Sequence, residues 1–460
     1  MDPVLVSRDI AAPLERVFAH FVSPSQRERL DLHADHVKSY RELDRGPSHL
    51  EYEFTFQAFG MRFWGRARED FEPPSRTLIH VTGGVLAGAW IEIQFEPLDD
   101  GARTRVSQLT HLPPATDAPL RHVLGRSVLG RLRALTAVHL DEHARDLEGL
   151  EPIRHATPGE ARRGGAVALL AALRAASLPL IVLPLLAGTA LASAEVPISL
   201  ARLALTLLGG ALALFAGNLA NDIWDFQFGA DHAARGDEAA TLTASGALID
   251  GVLGLRGAWA LTLALAAGAV TCGLALTPGR PLVPAIAAAG LLAALLYQAP
   301  PLRLAYRGRG LGELCIWAAF GPIPVEGAHY VQTGHLCGPA FALGAGVGVG
   351  AALVLYCHHF LHWAADRSVG KMSPVATLGP ARAGRVGLAL LALFAGALAA
   401  TPWLTGAPAA AATAGLAPLL VAGPLLRLGR GLSVRGHALL RRAGVAYTIG
   451  TSAIVAFLWR

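Results

Sequence analysis

A small α+β domain followed by an all-α polytopic membrane domain of about nine transmembrane helices is the fold class this sequence predicts. Three observations predict it. Residues 1–150 alternate apolar and polar positions and carry dense charge, as a water-soluble domain does. From about Ala166, uncharged stretches of membrane-spanning length follow one another almost to the C-terminus, and 53% of the 460 residues are hydrophobic. The basic residues between these stretches crowd onto alternate connections, the asymmetry that orients helices in a bilayer.

The first domain opens with Val4–Ile10, which alternates like a strand. Residues 11–21 then take helical spacing, with Pro13 in the first turn, where a missing N–H is tolerated. Strand-like runs follow at 50–57, 61–71, 77–82, 90–97 and 104–112, and a long amphipathic stretch from about Ala118 to Leu147 closes the domain. A helix, a curved antiparallel sheet and a long C-terminal helix make a helix-grip arrangement. The run Ile10-Ala-Ala-Pro-Leu-Glu-Arg-Val-Phe18 resembles the opening of the START-like (SRPBCC) superfamily, with the resemblance covering residues 1–148. It implies an apolar cavity roofed by the long helix and able to hold a quinone or lipid ligand. Phe54, Phe56, Phe63 and Trp64 then either line that cavity or simply fill the core. His33, His36, His49 and His80 show no ligand spacing and read as surface residues. Residues 149–165, with Pro152, Pro158, Gly159, Arg162 and Arg163, read as a linker to the membrane domain at 166–460.

Met1-Asp-Pro-Val4 lacks a basic region followed by an apolar core, so no signal peptide is expected and the first domain is expected in the cytoplasm. Cys272, Cys315, Cys337 and Cys357 have no metal-type spacing and read as small apolar fillers. The formal charge of +5 sits largely beside apolar segments, where it sets topology; it does not point to nucleic acid.

Spans are read at 166–192, 199–221, 253–276, 281–299, 311–331, 338–361, 385–402, 407–428 and 441–459. With the N-terminus inside a cytoplasmic (inner) membrane, only Arg202, Arg280 and Arg460 fall on the far side. The polar motifs then share the cytoplasmic face.

The richest of these motifs ends the second span: Asn218-Leu-Ala-Asn-Asp222-Ile-Trp-Asp225-Phe-Gln-Phe-Gly229-Ala-Asp231. Asn218, Asp222 and Asp225 stand at i, i+4 and i+7 on one helix face, and Gly229 lets Asp231 turn back toward them. Ionisable groups at this depth are costly and mark function. A cluster of acids needs cations, and hard oxygen donors suit Mg²⁺ carried by a diphosphate. A solvated acidic loop is the bland alternative. Against it, polar runs recur at Arg174-Ala-Ala-Ser177-Leu-Pro179, at Tyr297 to Glu313, and at His358 to Pro374.

Together these runs resemble the intramembrane aromatic prenyltransferases of the UbiA superfamily, most of all the menaquinone-pathway branch that prenylates 1,4-dihydroxy-2-naphthoate. The matching pieces are Arg-x-x-Ser-Leu-Pro, Asn-Asp-x-x-Asp-x-x-x-Gly-x-Asp, Tyr-x-x-Pro-Pro with Gly-Leu-Gly-Glu, Gly-Pro with Tyr-Val-Gln, and Asp-Arg-x-x-Gly-Lys. They stand in family order across residues 170–379; the last three spans match in hydropathy alone.

The resemblance implies transfer of a prenyl group from a polyprenyl diphosphate to an aromatic acceptor within the lipid bilayer, with Mg²⁺ as cofactor. It assigns Asn218, Asp222 and Asp225 to a first Mg²⁺–diphosphate site, with Asp231 completing the acidic loop. Asp366 matches the last acid of the second motif and stands as a metal ligand; Lys371, Arg303 and Arg367 meet diphosphate oxygens, and Arg174 lies near the same cavity. Trp224, Tyr297, Tyr306 and Tyr330 are candidates to face the prenyl cation or the ring, and Glu313 to touch the acceptor or to pack helices.

The second motif departs from the family pattern: His362 stands where many members carry a further carboxylate, and Ala365 replaces another acid. His358, His362 and Asp366 at i, i+4 and i+8 are read as one face. Either Asp366 holds a second cation with help from imidazole, or His362 hydrogen-bonds phosphate directly. The second reading is preferred, because Mg²⁺ favours oxygen donors; a Zn²⁺ site is the outsider. Two other functions stay open: a quinone or lipid carrier on a degenerate scaffold, and a prenyltransferase for another ring such as homogentisate or a chlorophyll-type acceptor.

Overall fold

The computed structural model describes residues 3–23, 37–58, 61–84, 86–112, 136–137, 139–141, 143–149, 169–170, 172–228, 248, 253–300, 302–368 and 370–459. Its chain divides into two compact units: Met1–Arg163 with Asp225–Gly236 and Leu248–Arg256, and Gly164–Trp224 with Asp237–Ala247 and Gly257–Arg460.

The first unit is a seven-stranded antiparallel sheet with a helix on it. Its elements are β1 (Val4–Ile10), α1 (Leu14–Val22), β2 (Val37–Arg45), β3 (His49–Ala58), β4 (Met61–Glu72), β5 (Arg76–Gly84), β6 (Trp90–Leu98) and β7 (Arg103–His111). The order β1-β7-β6-β5-β4-β3-β2 is a meander whose last strand returns to pair with the first, Val6 opposite Gln108. Alternation puts Ile93, Phe95 and Val106 on the inner face, where Val17, Phe18 and Phe21 of α1 and Leu140, Ala144 and Leu147 pack on them. Phe18 and Phe21 both meet the Phe95 ring edge-on at 5.3 Å.

Two readings of this unit change. Strand β2 was not expected, because Lys38, Arg41, Glu42, Asp44 and Arg45 mask its alternation; it lies at the sheet edge, where charge blocks pairing with other chains. Trp64 is 50% exposed, so it does not line a closed cavity. Phe54 tilts against Tyr52 at 5.9 Å, His49 pairs with Asp44 at 3.1 Å and His80 is exposed. The side chains of Phe56 and Phe63, and residues His33 and His36, lie outside the described residues. The histidines that do converge are His20, His143 and His139, linked at 2.9 and 3.2 Å.

The second unit is all helical: α2 (Pro179–Ala192), α3 (Leu200–Phe228), α4 (Leu255–Leu276), α5 (Val283–Gln298), α6 (Leu311–Phe320), α7 (Pro322–Thr333), α8 (Gly338–Ser368), α9 (Pro374–Leu378), α10 (Pro380–Ala399), α11 (Thr401–Thr405), α12 (Leu419–Gly429) and α13 (Gly436–Leu458). Six helical segments among the described residues are long and apolar enough to cross a bilayer: 175–192, 200–227, 255–276, 338–364, 380–399 and 409–429. The protein is therefore a multi-pass membrane protein. Helix α8 is the hub: its membrane window is 67% buried, against 17% for α3 and α4, whose free faces suit lipid.

The stretch read as one span at 311–331 is two helices, broken at Gly321–Pro322. The break lies against α8, where Gly344 and Gly348 admit the backbone; a Cβ on Gly344 would sit 2.7 Å from Pro322 Cα. The first span is likewise interrupted, after the helical residues Leu169, Leu170 and Ala172. Pro179 opens α2, and a 3₁₀ turn at Ala175–Ser177 precedes it. At the other end of the unit, Arg280 donates to the carbonyls of Val331 (2.8 Å) and Gln332 (2.6 Å), and Arg202 also reaches Gln332. Two of the three arginines expected on the far face thus meet on one helix C-terminus.

Candidate active site

The acidic face of α3 forms as its spacing predicts. Asn218, Asp222 and Asp225 occupy successive turns, and both aspartates are buried. The segment before α2 meets the first two. Asn218 Nδ2 donates to the Leu173 carbonyl (3.1 Å) and to Ser177 Oγ (3.0 Å), and the Arg174 guanidinium pairs with the Asp222 carboxylate. Arg174 does this from a left-handed backbone (φ 52°, ψ 48°), which costs an L-residue roughly 1–2 kcal/mol. Ser177 Oγ donates to the Arg174 carbonyl at 2.8 Å and holds the turn.

A second arginine shares the conformation. Arg303 (φ 45°, ψ 59°) follows α5, is buried, and lays its guanidinium 3.6 Å from the centre of the Tyr306 ring. Lys371 Nζ lies 5.4 Å from the same ring and 3.8 Å from Asp366 Oδ1. The Lys371 N–H also donates to the Asp366 carbonyl (2.8 Å), so the turn after α8 places ammonium and carboxylate together. Backbone strain of this kind clusters at functional sites.

On α8, His359 lies beside Asp366. Its Nδ1 lies 3.9 Å from Asp366 Oδ2 and its Nε2 lies 3.1 Å from Glu313 Oε1 of α6. His362 tilts against the His358 ring at 4.5 Å. Gln298 ties α5 to α3, donating to the Asn221 carbonyl (3.3 Å).

Most of the expected residues therefore gather where α2 begins and where α3, α5 and α8 end. Tyr297 lies against Gly312, 3.3 Å from where that residue's Cβ would be. Trp224 meets Trp259 edge-on at 5.5 Å. One expected residue lies elsewhere. Tyr330 is buried at the opposite end of the unit, its hydroxyl accepting the Leu282 N–H at 3.1 Å, so it faces no substrate at the acidic end. Arg367 is exposed, and Asp231 lies outside the described residues. The Glu313–His359–Asp366 chain and Gln298 were missing from the sequence reading of contacts; Gln298 beside Tyr297 in the Tyr-Gln-Ala-Pro run was the available signal.

The donors fit a hard divalent cation. Asn218 commits its amide nitrogen and leaves the amide oxygen, and the two buried aspartates add carboxylate oxygens in the all-oxygen set that Mg²⁺ prefers. Buried carboxylates also require cations for stability, and Arg174 supplies one for Asp222.

Apolar spanning helices with buried acids and bases at one shared end define a polytopic membrane protein with a charged intramembrane site. The chain belongs to the UbiA prenyltransferase family, which matches residues 181–433. Over 224 residues it is 32% identical to the chloroplastic 2-carboxy-1,4-naphthoquinone phytyltransferase of Arabidopsis thaliana, covering 45% of this chain and 54% of that protein. Over 83 residues it is 39% identical to the 2-carboxy-1,4-naphthoquinone phytyltransferase of Synechocystis sp., covering 18% of this chain and 26% of that protein. The chain thus spans about half the length of the first relative and a quarter of the second. Among solved structures, a UbiA homolog from Archaeoglobus fulgidus bound to GPP and Mg²⁺ is 16% identical, with 63% of this chain and 99% of that chain covered at a TM-score of 0.46.

Proposed function

We propose that the protein transfers a prenyl group from a polyprenyl diphosphate to a naphthoquinone-type ring, 1,4-dihydroxy-2-naphthoate first among acceptors, with Mg²⁺ as cofactor. The observation that carries this reading is the pair of buried aspartates on α3, with Arg174 bound to Asp222, in a family of prenyltransferases. The 2-carboxylated naphthoquinone named in both relatives supports the acceptor class.

Asn218, Asp222 and Asp225 would hold Mg²⁺, which would supply charge to stabilise a departing diphosphate. Arg174 and Lys371 add fixed positive charge to the same oxygens, in a setting where preorganised charge is worth several kcal/mol. The allylic C–O bond breaks with its electron pair going to diphosphate. A ring carbon of the acceptor then bonds to the prenyl carbon, and loss of a proton or of carbon dioxide restores aromaticity. Tyr306, already in contact with Arg303 and near Lys371, offers a π face to the developing cation. Glu313, held by His359, receives the acceptor's hydroxyl.

Nine spans orient the site and an N-terminal START-like domain to the cytoplasmic face of the inner membrane in this reading. The seven-stranded antiparallel sheet with a helix on its face supports that domain class. The test is lipid-extract mass spectrometry of cells with and without the gene, paired with purified protein given Mg²⁺, a prenyl diphosphate and 1,4-dihydroxy-2-naphthoate. Prenylated naphthoquinol should appear in both. Ring binding without any prenyl transfer would favour a carrier instead.

A further inference from the structure

The end of the helical unit away from Asp222 carries a second cluster. Glu195, in the turn between α2 and α3, lies 3.0 Å from His329 Nε2 through one oxygen and 2.8 Å from His335 Nε2 through the other. Cys337 joins them: the ligand atoms of Glu195, His329 and Cys337 all lie within 4.8 Å of one another. His329 comes from α7, whereas His335 and Cys337 come from the connection to α8. Helix α2 spans about 20 Å, so this cluster is separate from the site at Arg174 and Asp222.

From this convergence the geometry points to a zinc site formed by Glu195, His329 and Cys337, with His335 as the fourth ligand. Nitrogen, oxygen and sulfur donors together suit Zn²⁺ and repel the hard cations that all-oxygen sites take. Glu326 strengthens the argument. Its Oε1 accepts the Cys337 N–H at 2.6 Å, and its Oε2 is buried with no hydrogen-bond partner among the described residues. Glu326 thus adds a second carboxylate beside Glu195, negative charge that a bound cation would offset. Thr333 Oγ1 lies 3.4 Å from His329 Nδ1, an outer partner that orients the buried ring. The His335 side chain is 57% exposed, which gives the metal a way in. A plain latch, in which Glu195 bridges two imidazoles, explains the histidines but not the thiol. Bound zinc joins the α2–α3 turn to the α7–α8 connection and fixes the helices on that face.

The full-length protein in detergent, stripped with EDTA, is titrated with ZnCl₂ against a chromophoric chelator and separately with CoCl₂. One tight equivalent of zinc and a near-ultraviolet thiolate-to-cobalt charge-transfer band are expected. Cys337→Ser should abolish the band, and His335→Ala should weaken zinc by at least roughly tenfold. Asp366→Asn, at the other end, should leave both unchanged. Because the cobalt spectrum is taken on the unaltered protein, misfolding of a variant does not obscure the result. Absence of the band, or tight zinc that survives both Cys337→Ser and His335→Ala, would overturn the proposal.

Discussion

Arg174 binds the Asp222 carboxylate from a backbone that ordinary residues avoid. The strained turn aims a guanidinium at a buried acid, and Ser177 and Asn218 secure the same turn. Removing one partner of a buried pair leaves a lone charge that costs about 3–5 kcal/mol, less here because the Arg174 side chain is 28% exposed. Arg174→Ala should therefore lower thermal stability in detergent without metal. Mg²⁺ should restore part of that loss, because a cation replaces the guanidinium beside Asp222. Thermal unfolding with and without Mg²⁺ measures both effects.

The imidazoles divide by role. His359 touches Glu313 and Asp366, so His359→Ala should reduce turnover by at least about tenfold, the scale of a lost acid–base or orienting group. For His362→Asp, a direct contact with phosphate predicts a raised Mg²⁺ requirement, whereas a ligand role predicts activity kept at low Mg²⁺. A Mg²⁺ titration of this variant separates the two, and an unchanged curve removes His362 from the site.

Register explains which contacts were legible in the sequence. Asn218, Asp222 and Asp225 fall on one face because four and seven residues nearly complete one and two turns. By the same geometry, seven residues bring His359 back to within about 20° of Asp366, whereas the eight from His358 overshoot by about 80°. Reading i, i+4, i+8 therefore included His358 and passed over His359, while His362, four residues from Asp366, lies about 40° away by the same geometry. The Glu195, His329, His335 and Cys337 cluster was hidden for another reason: its members come from a turn, a helix and a connection, and only tertiary packing joins them. Strand β2 was masked by edge charge, while the break at Gly321–Pro322 was written in its residues but read as part of one span.

In the sheet unit, Arg105 grips Asp9 through two hydrogen bonds of 2.8 and 3.0 Å. That hydrogen bonding, aided by the Arg105, Arg103 and Arg8 charges and against the effect of burial, holds the Asp9 carboxyl below its ordinary 3.8. A lowered native pKa stabilises the fold above the unfolded value and is lost as pH falls through the native one. Hydrogen exchange of the β1 and β7 amides should show Asp9→Asn less protected than the unaltered protein at pH 7. The difference should shrink as the pH falls below the ordinary carboxylate value and through the lowered native one.

Residues 1–148 are proposed to bind a quinone-like ring or lipid and pass it to or from the membrane site, because burial in a pocket removes an insoluble product from water. A chain starting near Gly159 should keep prenyl transfer in detergent and lose flux in membranes. The isolated fragment should bind quinone analogues. No ligand binding together with full membrane flux would leave the domain a scaffolding role alone.

The most direct test of the account is Mg²⁺-dependent prenyl transfer by Asp222→Ala and Asp225→Ala, measured beside membrane insertion. The buried one-face acids of α3 predict that each variant inserts normally and loses transfer by several orders of magnitude, as expected when a metal-held leaving group is released from its ligands. Near-normal turnover in either variant, with insertion intact, would contradict the assignment of this face to the diphosphate site.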